Sequence, residues 1–231
     1  MTYTLVLLRH GESTWNQENL FAGWHDCGLS ETGLAEAERA GALLRDAGLR
    51  FDVVHTSLLR RAITTTQVAL DVMDQHWLPV KRSWRLNERH YGALQGMNKT
   101  EIFATWGEAA SRRWWRGVEA APPPLADDDP RHPRFDPLYA AVPAPQLPAS
   151  ESLRDCQRRL LPYWQTVLVP ALQAGQRLLV VSHGNTLRAL MMHLDALNDA
   201  AVETLEIPSG VPCLYEFDSA MRVSGRTWLD R

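Results

Sequence analysis

The chain has 231 residues, 45% of them hydrophobic, and a formal net charge of −3. That is enough apolar sequence for a sizeable core, most simply one α/β domain, and it provides no basic field that would argue for nucleic acid as a partner. The three widely spaced cysteines, Cys27, Cys156 and Cys213, form neither a metal-ligand pattern nor a disulfide framework, no stretch reaches the length of a membrane span, and the N-terminus lacks a signal-peptide pattern, so a cytoplasmic protein is expected.

The first apolar run, Tyr3–Leu8, reads as a buried strand that ends in Arg9-His10-Gly11. Ser30 caps a predicted helix whose stripe is Leu34, Ala37, Gly41 and Leu44, and Gly48 ends it. A second strand, in "FDVVHTS", ends near His55, and Ser57 is expected to cap a helix bearing Arg60 and Arg61. "RLNERHYGALQGMN" is polar and glycine-bearing, hence a loop, and "NKTEIFATWGEAASRRWWRG" predicts one or two short helices. Residues 120–149 are rich in Pro and Asp without periodicity, which predicts an ordered excursion over the surface rather than an element. "SESL" opens the next helix, which runs towards Leu168 with a disturbance at Pro162. "QRLLVVSHGNTLRALMMHL" is strand, turn and helix, and "CLYEFD" and "RVSGRTWL" read as terminal strands. Strands alternating with helices predict a three-layer α/β fold over residues 1–231, a mostly parallel sheet with helices on both faces.

Three of these strands end in similar chemistry: Arg9-His10-Gly11, then Ser57 with Arg60-Arg61, then His183-Gly184-Asn185. In a parallel sheet such endings share one edge, where sites of α/β folds lie. Two histidines, at least two arginines and glycine-opened helix N-termini make a cationic cup suited to a phosphoryl group. A neutral imidazole is a competent nucleophile at phosphorus, and the second histidine can hydrogen-bond the oxygens over which charge spreads. Glu88, in a loop among cations and an aromatic ring, is the best candidate for moving the proton. A metal site would want clustered carboxylates, and nothing places Asp127–Asp129 near His10. His55, His90, His132 and His193 read as structural or surface residues, and Trp106, Trp114 and Trp115 as packing residues.

"LLRHGESTWN", "TSLLRRAITT", "LNERHYGALQGMNK", "RRWWRG", "ESL" and "SHGNTLRAL" together resemble the histidine phosphatase superfamily and, more narrowly, the cofactor-dependent phosphoglycerate mutases, over nearly the whole chain. The resemblance implies that His10 becomes phosphohistidine and that Arg9, Arg61 and His183 hold the transferred phosphoryl group, with Gly184 and Asn185 beside it. It implies Glu88 as general acid and base, and Tyr91, Lys99, Asn16 and Arg116 as ligands of the substrate's carboxylate and second phosphate. The implied reaction interconverts 3-phosphoglycerate and 2-phosphoglycerate, primed by 2,3-bisphosphoglycerate and without a metal, in a homodimer or homotetramer with no nucleic-acid or membrane partner.

Three departures stand out. Ala22 replaces a family serine or threonine, leaving the backbone N–H groups of Ala22 and Gly23 to serve. Trp115 replaces the first of two arginines, and the sequence stops at Arg231 where many members continue into a tail. Ala22 and the shortened terminus lead us to expect that the phosphohistidine leaks more readily to water, since closure of the site is what excludes it. The rivals are a broad-specificity phosphatase on the same fold, which shares His10, Arg9, Arg61 and His183 but not "NERHYGALQGMNK", and a catalytically silent phospho-ligand protein, expected to lack His10 or Glu88.

Overall fold

A computed structural model describes residues 2–230. A six-stranded sheet has the order β3-β2-β4-β1-β5-β6, with β1 at Tyr3–Arg9, β2 at Val53–Thr56, β3 at Val80–Arg82, β4 at Leu178–Ser182, β5 at Pro212–Phe217 and β6 at Val223–Trp228. Strands β3, β2, β4 and β1 are parallel, and β5 pairs antiparallel with both β1 and β6.

The apolar runs form central strands because both faces find a cover. Along β1, Leu5 and Leu7 point to one side and Val6 and Leu8 to the other, the period-two alternation of a strand. Val6 and Leu8 pack with Val54, Leu179 and Val181 beneath α2 (Glu31–Asp46) and α3 (Arg60–Val72). Leu5 and Leu7 pack with Val53, Leu178 and Val180 beneath α6 (Leu153–Tyr163) and α8 (Gly184–Leu194). The three-layer expectation holds.

Shorter elements complete the chain: α1 (Thr14–Gln17), α4 (Lys99–Trp106), α5 (Glu108–Arg116), α7 (Val169–Gln173) and α9 (Asp199–Thr204). Of these α1 and α9, together with strand β3, were not expected from the sequence. Pro162 lies inside α6 as expected, and the chain then widens into a π-turn over Trp164–Leu168 before α7 resumes. Residues 120–149 contain three 3-10 turns, and Tyr139 packs its ring 4.8 Å from that of Trp24, so the excursion is ordered against the body. Among the described residues no helix is long and apolar enough to cross a membrane.

Two expectations need correction. Leu34 is 40% exposed and Gly33 takes its place in the buried stripe of α2, where Ala37, Gly41 and Leu44 lie as expected, joined by Ala40. Leu59, not Ser57, is the N-cap of α3, and it makes no side-chain cap bond. The hydroxyl of Ser57 is instead 2.8 Å from Nε2 of His183.

Candidate active site

Parallel pairing aligns the ends of β1, β4 and β2, and the backbone N–H of His10 donates to Ser182 O at 3.0 Å, locking the first two together. The chain can turn away at once because Gly11 lies against the backbone of Gly33, where an added Cβ on either glycine would overlap the other segment. His183 is the N-cap of α8, and Arg61 sits in the first turn of α3, a half-step round the helix from exposed Arg60.

The rings of His10 and His183 meet edge to face with centroids 4.9 Å apart. Nδ1 of His10 lies 2.6 Å from Gly11 O, which can only accept, so Nδ1 carries the proton and Nε2 keeps its lone pair. Nε of Arg61 donates to that Nε2 at 3.3 Å, while its other nitrogens donate to Gly23 O at 2.8 Å and His25 O at 2.9 Å. Burial, then the charges of Arg61 and Arg9, holds His10 well below the ordinary imidazole range. Burial, then Arg61 and His10, does the same for His183, so both are neutral at pH 7. Arg9 donates to Ile207 O at 2.7 Å, but its Nε and Nδ1 of His183 are buried with no hydrogen-bond partner among the described residues. Such atoms suit an anionic oxygen.

Glu88 follows a short 3-10 turn (Trp84–Leu86), and its Oε1 accepts from the N–H of Arg89 at 2.8 Å and of Asn185 at 3.2 Å, the latter in the first turn of α8. Helix N-termini favour an anion at this position. Asn185 also donates to Tyr91 Oη at 3.0 Å and accepts from Arg188 at 3.0 Å.

Lys99 opens α4 and Arg116 ends α5, and both line the same cleft as Arg9, whose charge reaches each of them. Burial lowers the pKa of each. Asn16 is fixed by the capping box it forms with Ser13 at the start of α1. Gly23 has φ +53, beside Ala22.

Every expected site residue lines one cleft of about 140 Å³ except His183, which is wholly buried against His10. Sequence reasoning missed Arg188, Glu206 and Ile207, which line the same cleft. Arg188 is buried and pushed down to about 10, and Glu206 forms an ion pair with Arg116 at the cleft mouth. Trp115, expected to pack, also faces the cleft, and Trp106 is 54% exposed. Arg89, fully buried, stacks its guanidinium 4.6 Å from the Tyr91 ring centroid. His55 and His90 are structural, His55 bonding Tyr163 Oη at 2.8 Å and His90 accepting from Gly92 N–H at 3.0 Å.

The cleft is thus lined by a neutral imidazole whose Nε2 lone pair meets only the Arg61 N–H, by several cations and by the carboxyl group of Glu88. It can hold anionic groups and move a phosphoryl group between nitrogen and oxygen. The sequence model of the histidine phosphatase superfamily (branch 1) matches residues 5–131 and 125–224. The chain is 52% identical over 229 residues to the 2,3-bisphosphoglycerate-dependent phosphoglycerate mutase of Thermobifida fusca, covering 98% of this chain and 93% of the relative. It is 52% identical over 230 residues to the protein of the same name in Streptomyces avermitilis, covering 99% and 91%. Among solved structures it is similar to a phosphoglycerate mutase of Bacillus anthracis (TM-score 0.70, 22% identity, 96% of this chain and 91% of the other) and to a mycobacterial glucosyl-3-phosphoglycerate phosphatase (TM-score 0.71, 23% identity, 96% and 98%). At that identity the structural likeness is one of fold.

Proposed function

The chain belongs to the histidine phosphatase superfamily, and we propose that it interconverts 3-phosphoglycerate and 2-phosphoglycerate as a 2,3-bisphosphoglycerate-dependent mutase. The observation that carries this reading is that Lys99 and Arg116 line the same cleft as His10, in addition to the Arg9 and Arg61 of its cup. A phosphatase needs only the cup around His10, whereas a mutase must hold a small substrate by a second anionic group while the phosphoryl group is away. In this reading Lys99 and Arg116, which line the cleft, grip that second group. The names of the two 52% identical relatives support the same reaction.

In this scheme Nε2 of His10 attacks phosphorus, a P–N bond forms, and the P–O bond to the departing oxygen breaks. Arg9, Arg61 and His183 share the charge on the non-bridging oxygens. Glu88 gives the departing oxygen a proton, then takes one from the hydroxyl that attacks the phosphohistidine in the return step. Tyr91, Asn16, Gly184, Asn185 and the N–H groups of Ala22 and Gly23 orient the glycerate. Bound 2,3-bisphosphoglycerate supplies the phosphoryl group that first charges His10, and the unpartnered Arg9 Nε and His183 Nδ1 fit such an anion.

The test follows isomerisation and phosphate release from 3-phosphoglycerate, with and without 2,3-bisphosphoglycerate. Bisphosphoglycerate-dependent formation of 2-phosphoglycerate, outpacing phosphate release and abolished by His10→Ala, is expected. Phosphate release without isomerisation would make the protein a phosphatase.

A further inference from the structure

Arg159 and Glu151 form a buried ion pair that lies outside the cleft, with side chains only 5% and 3% exposed. Nε of Arg159 donates to Glu151 Oε1 at 2.6 Å and Nη2 to Oε2 at 2.9 Å. Nη2 also lies 3.4 Å from Cys156 Sγ, and the other contacts go to the segment that carries Glu88. Nη1 reaches Trp84 O at 3.2 Å and Arg85 O at 2.8 Å, and Nη2 reaches Asn87 O and Glu88 O, both at 3.2 Å. Glu151 holds the other end of that segment, for its Oε2 accepts from His90 N–H at 2.9 Å and its own N–H donates to His90 O at 2.8 Å. Beyond its short 3-10 turn the segment lies in neither helix nor sheet.

A buried ion pair is a poor way to gain stability, because apolar side chains of the same volume often serve as well or better. This one gathers the carbonyls on both sides of a bend and fixes the backbone from which the Glu88 carboxyl projects. We propose that Arg159 and Glu151 are positioning residues for the mutase reaction, holding Glu88 in register with the oxygen whose proton it moves. The inference rests on the proposed function.

The leaving group tells this role from a merely structural one. A glycerate oxygen departs as a poor leaving group and needs the Glu88 proton. From 4-nitrophenyl phosphate, His10 takes the phosphoryl group as the aryl P–O bond breaks, and the electron pair leaves on a stable phenolate that needs no proton. Two variants are measured, Arg159→Lys, which keeps the charge but loses the planar fork of donors, and the double substitution Arg159→Met with Glu151→Met, which keeps the volume without a buried charge. Both should lower kcat for isomerisation about 10- to 100-fold, part of what general acid–base catalysis supplies, with KM moving less than about threefold. The single-turnover burst of nitrophenolate should stay within about threefold of wild type, since that step uses no general acid. Equal losses on both substrates, or an undiminished kcat in the variants, would overturn the inference while leaving the mutase reading standing. A wild-type protein that bursts with the aryl phosphate but never isomerises 3-phosphoglycerate overturns that reading, and the inference with it.

Discussion

Glu206 is a carboxylate at the mouth of a cleft that must admit anions, and it is paired with Arg116, the cation that ends α5. Replacing Glu206 by Gln keeps the shape and removes the competitor. The Glu206 side chain is 72% exposed and that of Arg116 21%, so the pair belongs with solvent-screened ion pairs worth about 0.2–1 kcal/mol. A substrate carboxylate that no longer displaces that pair should gain the same amount, which is about 1.5- to 5-fold in affinity. Initial rates against 3-phosphoglycerate, at saturating 2,3-bisphosphoglycerate and low ionic strength, should show KM falling by that factor with kcat changing far less. In roughly 0.5 M salt the gap between variant and wild type should narrow, because salt weakens solvent-exposed ion pairs such as this one. An unchanged or raised KM at low salt would refute the competition, as would a fall in kcat matching that in kcat/KM.

Gly33→Ala should destabilise the protein by roughly 1–3 kcal/mol, since its Cβ would overlap the Glu12 backbone, which has no flexible side-chain end to yield. A thermal midpoint lower by roughly 2–12 °C checks this, and an unchanged midpoint counts against the close approach at Gly11. Burial lowers the pKa of His55 to about 4 and of His90 to about 3, so below pH 6.5 the unfolded chain binds protons that the folded one refuses. Their contribution is therefore complete above pH 6.5 and is lost as pH falls towards 4 and 3. At pH 5 the loss is about 2 kcal/mol for each, read as a lower urea midpoint than at pH 7.5, and equal midpoints would contradict it.

The sheet's centre was legible because β1, β2 and β4 are apolar runs that give way to polar and charged residues, Arg9-His10, Ser57 with Arg60-Arg61, and His183, a pattern seldom found without a site to explain it. β3 escaped notice because Val80, Lys81 and Arg82 are all exposed at the sheet edge and show no alternation. Ser57 looked like a cap since it precedes a helix by the right distance, and only the fold shows its hydroxyl turned to His183. Arg188 and Glu206 were invisible for a different reason. Their place in the cleft depends on which side of α8 and of the turn before β5 faces inward, and no local pattern encodes that. "SESL" announces a helix start, and Ser152 does cap α6. Nothing in the spacing of Glu151 and Arg159 announced that both would reach the segment around Glu88.

Strand β4 sits between β2 and β1, although it is encoded more than a hundred residues after either. The first strand of the chain therefore has no neighbour to pair with until residues 178–182 have been synthesised, and its other neighbour, β5, comes later still. At typical translation rates that interval is roughly 9–35 seconds. Throughout it, Leu5–Leu8 present a bare apolar edge, the kind of surface that seeds aggregation. The parallel arrangement that brings Arg9, Arg61 and His183 to one point thus makes the emerging polypeptide depend on shielding of its N-terminus during synthesis. It also makes folding dominated by distant contacts, and so slow for a chain of this size.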